Sequence, residues 1–317
     1  MLPGVAITTE MGLLFAGELV RRRDVRDWGL TQRHLDDLAR AGAAVQIVRG
    51  LFVDARLTDD VLVRARAVSM VLPPGAAVCR RTAAWLHGID PRGPSERGVV
   101  LDVECCVPVG RTPMRRPGVR GFVADLTRDD LCVVGGVMCT TPARTAMDLV
   151  RWLQPHMGLA CLDLMAGRRL VDPAHLAAEI ERWHGERFVD QARYLITHCD
   201  PKSESFGESW LRLRMVDAGF PRPETQIWIS DGEGVALYRL DMGWRKRRKG
   251  VEYDGEEFHS AAEDREHDEA RRDDLAKRFD WDVIGVGKGE VLGRSLALER
   301  AVGDLLGIEP TIRARRW

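Results

Sequence analysis

The chain has 317 residues, 45% of them apolar and 30% charged, with a formal net charge of -1. This length is about twice the ~150 residues of a typical domain, so two or three domains with a sizeable core are expected. The balance excludes a disordered or membrane-embedded chain, and any nucleic-acid contact has to come from local basic patches.

Seven cysteines, Cys79, Cys105, Cys106, Cys132, Cys139, Cys161 and Cys199, show no C-x-x-C spacing. The odd number suits a reducing compartment and offers no zinc motif, and Cys105-Cys106 reads as part of a strand core. The opening "MLPGVAITTEMGLLFAGELVRRRD" has no basic segment ahead of its apolar stretch. No apolar run approaches the ~18 to 20 residues of a membrane span, so the expectation is a cytoplasmic protein without membrane contact.

In chain order, Thr8 and Thr9 can cap a helix running toward Arg23. "GLTQRHLDDLARAG" then offers Thr31 as N-cap, an apolar face of Leu35, Leu38 and Ala39, and Gly42 as terminator. "VQIVRGLFVDA" reads as two strands around Arg49-Gly50. Helix, helix, hairpin is the order of a winged helix-turn-helix. "TDDVLVRARAVSMVLPPG" predicts a helix capped by Thr58, and "CRRTAAWLHG" a shorter one. From 97 to 140 the pattern turns to strands, after which Thr141 and Pro142 open a helix. Further helices are expected at about 155 to 167 and from Asp172-Pro173 to about 184.

Polar and turn-forming residues at "HCDPKSES", 198 to 205, mark a break. Beyond it come a helix at 206 to 218, strands at 224 to 230, 235 to 242 and 250 to 254, a helix at about 261 to 279, a strand at 281 to 286 and a last helix. The expected fold class is therefore mixed α+β and α/β, in several domains: a winged helix-turn-helix at 1–78, an α/β middle region at 79–198 and an α-β-β-β-α-β domain at 199–317.

Strand alternation places Arg239 and Asp241 on one face with Leu240 and Met242 on the other, and sets Glu252 and Asp254 together. Antiparallel pairing across "RKRRK" brings Asp241 and Glu252 close. Gathered carboxylates repel and lose hydration, and Mg²⁺ or Mn²⁺ is an economical compensation, so Asp241 and Glu252 are candidate metal ligands. Acids are depleted from strands, which singles out these two. Other candidates have plainer readings as well. Ser205 and Glu208 form a capping box, Asp254-Gly255 can begin a turn, and His259 can be an ordinary loop histidine. Arg245, Lys246, Arg247, Arg248 and Lys249 form either a solvated turn or a cationic seat for a DNA backbone. Arg271 and Asp268 on the following helix are candidates to face the carboxylates.

The order of elements, with an acid on the second strand and E-x-D on the third, resembles the PD-(D/E)XK nuclease superfamily. More narrowly, "YRLDMGW", "VEYDGEEFH", "DREHDEARRDDLAKRF" and "WDVIGV" resemble an uncharacterised domain related to very-short-patch-repair endonucleases, over residues 203 to 287. That resemblance implies metal on Asp241 and Glu252 with Glu208 as an auxiliary acid; Asp254 and His259, the latter a supporting acid/base candidate for its ordinary pKa of about 6.5, complete the candidate catalytic set. Asp254 stands where the superfamily usually has lysine, which leaves it as a further ligand, Lys249 as a displaced helper, or the site degenerate.

At the N-terminal end, Gln32, Arg33 and Arg40 supply the polar face a recognition helix needs, and Arg49 sits at the hairpin tip. Asp36 and Asp37 oppose phosphate. Residues 24 to 90 resemble the N-terminal domain of AbiEi-type antitoxins, through "GLTQRHLDDLARAGAAVQIVRGLFVD" and "PGAAVCRRTAAWLHGI", and "TTPARTAMDLV" resembles the continuation of that architecture. The resemblance implies DNA and a cognate toxin as partners. A protein-contact module is the other reading of the small helical domain.

Three functions follow from the sequence: a metal-dependent DNA endonuclease in phage defence or repair, a catalytically inactive antitoxin-like transcriptional regulator, or an adaptor within a defence system.

Overall fold

The computed structural model describes residues 14–96, 98–254 and 262–312, without the side chains of 262–269. The chain divides into two compact units, Met1–Asp148 and Leu149–Trp317, and is of mixed α and β structure in both. Among the described residues no helix is long and apolar enough to cross a membrane.

The first unit opens with a short 3-10 helix at Leu14–Gly17, strand β1 (Val20–Arg21) and a 3-10 helix at Arg22–Trp28. The continuous helix expected to reach Arg23 is thus absent from 14 onward. Phe15 and Ala16 take left-handed backbone, which an α-helix does not tolerate, while Phe15 and Val20 are buried. Next come α1 (Gln32–Arg40), β2 (Ala44–Val48), β3 (Leu51–Asp54), α2 (Val61–Ser69), β4 (Ala77–Val78) and α3 (Arg80–Leu86). Thr31 caps α1 through the His34 amide, as the sequence predicts. For α2 the cap is Asp60, which accepts from Leu62 and Val63, and not Thr58, whose hydroxyl donates to the Ala55 carbonyl instead.

The strands expected between 97 and 140 are β5 (Val103–Val107), β6 (Arg115–Arg116), β7 (Val119–Val123), β8 (Leu131–Val134) and β9 (Val137–Thr140), followed by α4 (Pro142–Trp152). Two sheets result, ordered β1-β3-β2 and β6-β7-β5-β4-β9-β8. Leu35 of α1 packs with Phe15, Val20, Val25, Ala44 and Phe52. Residues of the hairpin, α2, α3 and the larger sheet form a second core around Val53, Val68, Val78 and Leu86.

The second unit has α5 (Pro155–Gly167), α6 (Pro173–Glu179), α7 (Val189–Thr197), α8 (Phe206–Asp217), β10 (Glu224–Ser230), β11 (Ala236–Trp244), β12 (Lys249–Asp254), α9 (Ala262–Phe279), β13 (Asp282–Gly287), α10 (Lys288–Leu292) and α11 (Ala297–Leu306). α7 and α10 carry no expectation from the sequence. The stretch at 198–205 is pinned down: the Asp200 amide donates to Asp163, and Arg212 donates to both Asp163 and the His198 carbonyl.

The sheet runs β10-β11-β12-β13, antiparallel except for the last pair. Met242, Trp244 and Val251 pack with Trp210, Leu211 and Met215 of α8 and with Val302 of α11, whereas Ile227, Ile229 and Leu240 pack with Leu275 of α9.

Leu240 and Met242 therefore do not share a face, contrary to simple alternation. β10 and β11 pair at Thr225↔Met242 and at Ile227↔Leu240, and the intervening Gln226 has φ of 52°. A left-handed residue in one strand breaks the pleat and lets the side chains on either side of it enter different cores.

Candidate functional site

In the second unit, Asp241 lies on β11 opposite Gln226, one residue before the Met242↔Val251 pair, so Glu252 of β12 is its neighbour across the strands. Its Oδ2 accepts the Tyr253 amide at 2.8 Å. Burial pushes its carboxyl pKa up to about 7, helped by the charges of Glu208 and Glu252 and opposed by the Tyr253 amide and Arg271. The structure thus places Glu208 and Glu252 near Asp241.

Each of these acids has protein partners. Both oxygens of Glu252, which is only 6% exposed, accept from Arg271 at 2.7 Å, a bidentate pair, and Arg271 also donates to the Arg239 carbonyl. Glu208 has its amide capped by Ser205 and accepts from the Glu204 amide at 3.0 Å and from Gln226 Nε2 at 2.9 Å. Burial raises its pKa as well. Asp254 pairs with Arg272 at 3.0 Å. His259 and the side chain of Asp268 lie outside the described residues.

Among the described residues, no group of three or more His, Cys, Asp or Glu side chains stands ready to hold a metal ion. The donor set as arranged does not fit Mg²⁺ or Mn²⁺, because the Glu252 oxygens that would bind the cation hold a guanidinium. Arg271 could be picked out in the sequence, but only its placement gives it the role of counter-charge.

The basic turn stands at the far end of the β11–β12 hairpin, three or more residues from Asp241, or roughly 10 Å or more along a strand. Arg245 pairs with Glu224, Arg248 with Asp280 and Lys249 with Asp282, while Arg247 donates to the Leu306 carbonyl. Lys246 is exposed.

In the first unit, α1 presents Gln32, Arg33 and Arg40 to solvent, and Arg49 is exposed at the β2–β3 turn, where Gly50 has φ of 77°. Arg40 is in an ion pair with Asp37 at 2.8 Å. Asp36 is bound by Arg22, whose hydrogen bond lowers its pKa. Both acids opposing phosphate are thereby paired from within.

Comparison with known proteins bears on the middle of the chain. Residues 76–198 match the family model of the AbiEi antitoxin C-terminal domain. The match supports the antitoxin-like part of the resemblance. Two Mycobacterium tuberculosis proteins, from strains CDC 1551 and H37Rv and both described as uncharacterized, are each 28% identical over 257 residues, covering 81% of this chain and 90% of their own. A crystal structure of the RV2827C protein from M. tuberculosis aligns with a TM-score of 0.30 at 15% identity, covering 56% of this chain and 71% of that one.

Proposed function

We propose that the chain is a DNA-binding regulator of the antitoxin type, with a cognate toxin protein as its further partner. The observation that carries this is the surface of α1 and the β2–β3 hairpin: Gln32 and Arg33 exposed in the first helical turn, and Arg49 exposed at the hairpin tip. In a winged helix-turn-helix the N-terminal end of the recognition helix meets base edges while other groups hold phosphates. The antitoxin match at 76–198 supports the same reading. We accordingly divide the chain into a reader at 1–78, an antitoxin-like region at 79–198 and a nuclease-like domain at 199–317, the last serving without cleavage.

A duplex panel including the DNA upstream of the chain's own gene, titrated with the full chain and followed by fluorescence anisotropy, tests this. Binding should weaken with salt, and Arg33→Ala with Arg49→Ala should lower the log-log salt slope by about two, one for each cation removed from the DNA interface. Wild-type protein that retains no duplex at low salt removes the reading.

A second reading, a metal-dependent endonuclease of the PD-(D/E)XK type, is favoured by one observation. Asp241 holds its proton to about pH 7 partly because Glu208 and Glu252 face it, a repulsion that a divalent cation would relieve. It requires Arg271 to release Glu252. For that reason we rank it second.

A further inference from the structure

The first unit carries a groove that the reader alone does not explain. It is lined by Arg21 and Arg23 ahead of α1, by Gln32 at the start of α1, by Arg49 at the β2–β3 turn and by Arg116 on the β6–β7 hairpin, and no carboxylate is among its lining residues. Two arginines of this region are already in ion pairs, Arg22 with Asp36 and Arg23 with Asp24. Arg21, Arg49 and Arg116 have no ion-pair partner among the described residues.

The two hairpins are in contact. Arg116-Pro117-Gly118-Val119 closes the β6–β7 hairpin, with Gly118 at φ of 85°, the position where a proline-glycine turn needs left-handed backbone. A Cβ added at Gly118 would come within 2.9 Å of the Arg49 Cβ. The β2–β3 turn thus rests on the β6–β7 turn, and Arg49 and Arg116 are held in one groove. Arg116 donates one bond to the Val71 carbonyl at 2.7 Å, which anchors its guanidinium. Like charges that line one groove favour an anion between them, and a guanidinium fork matches phosphate oxygens.

We propose that this groove is a duplex-phosphate site, in which Arg21 and Arg116 hold the DNA backbone beside Arg49 while Gln32 faces the bases. The β6–β7 hairpin, inside the antitoxin-like region, then belongs to the same DNA interface as the reader helix. This rests on the DNA-binding reading above and adds to it two residues that the sequence does not single out.

The test uses the full chain and a labelled duplex that wild-type protein binds, with affinity measured across a salt series. Arg21→Ala with Arg116→Ala should weaken binding to every duplex alike and lower the salt slope by about two. Arg116→Lys, which keeps the charge should the alanine variant fold poorly, should hold the slope about one unit closer to wild type than Arg116→Ala does. Arg128→Ala, an exposed arginine outside the groove, should change nothing. If Arg33→Ala weakens binding while the Arg21 and Arg116 variants retain wild-type affinity and slope, the groove assignment falls and the reader stands. If wild-type protein binds no duplex, the broader reading fails first. Tighter binding of a single-stranded RNA through the same arginines overturns the duplex assignment.

Discussion

A buried carboxylic acid beside two other acids has two ways to lower its energy: keep its proton or acquire a cation. Asp241 keeps its proton, with a pKa of about 7, while Glu252 is neutralised by Arg271. The consequence for stability has a definite sign. Below pH ~4 Asp241 is neutral whether folded or unfolded. Between about 4 and 7 the folded chain retains a proton that the unfolded chain gives up, so this contribution to stability falls as pH rises and is gone above the folded pKa. Urea unfolding should show wild-type protein losing stability between pH 5 and pH 8, and Asp241→Asn losing less. Equal losses contradict this account of the site. Asp241 and Glu252 stand out in the sequence because acids on strands are unusual. The capture of Glu252 by Arg271 does not, since the two lie nineteen positions apart and meet only in the folded chain.

Elements with strong local signals follow the sequence closely. α1 has its threonine cap and glycine stop, α5 begins at a proline, and β10 to β13 form close to where the sequence places strands. The departures have local causes that the pattern does not carry. α7 starts from Phe188 in left-handed backbone without a side-chain cap, α10 is only five residues long, and Gln226 breaks the pleat of β10. The tight β6–β7 turn is a further case, for Pro117-Gly118 announces a turn but not what rests on it. Gly118→Ala introduces a side chain both at a left-handed position and against Arg49, and should destabilise the protein by about 1–2 kcal/mol. Denaturant melts measure this directly. An unchanged midpoint contradicts the tight packing of the two hairpins.

At the scale of the whole molecule, the two units carry different chemistry. The first gathers unpaired arginines and exposed polar groups, suited to phosphate and base edges; the second gathers acids and satisfies them internally with Arg271, Arg272 and Gln226. Under the proposed function, a chain with a net charge of -1 binds DNA through a local cluster of cations and not through an overall excess of them. The division of labour is legible in part from the sequence: the acids and the reader helix stand out, whereas the groove depends on Arg21 and Arg116, 95 positions apart, meeting in three dimensions. The most direct measurement is the fate of supercoiled plasmid incubated with the full chain and Mg²⁺ or Mn²⁺, alongside Asp241→Ala, at protein concentrations that retard the DNA. With both proteins the plasmid should be retarded but intact. Nicked or linear plasmid with wild-type protein, absent with Asp241→Ala, contradicts the proposed function.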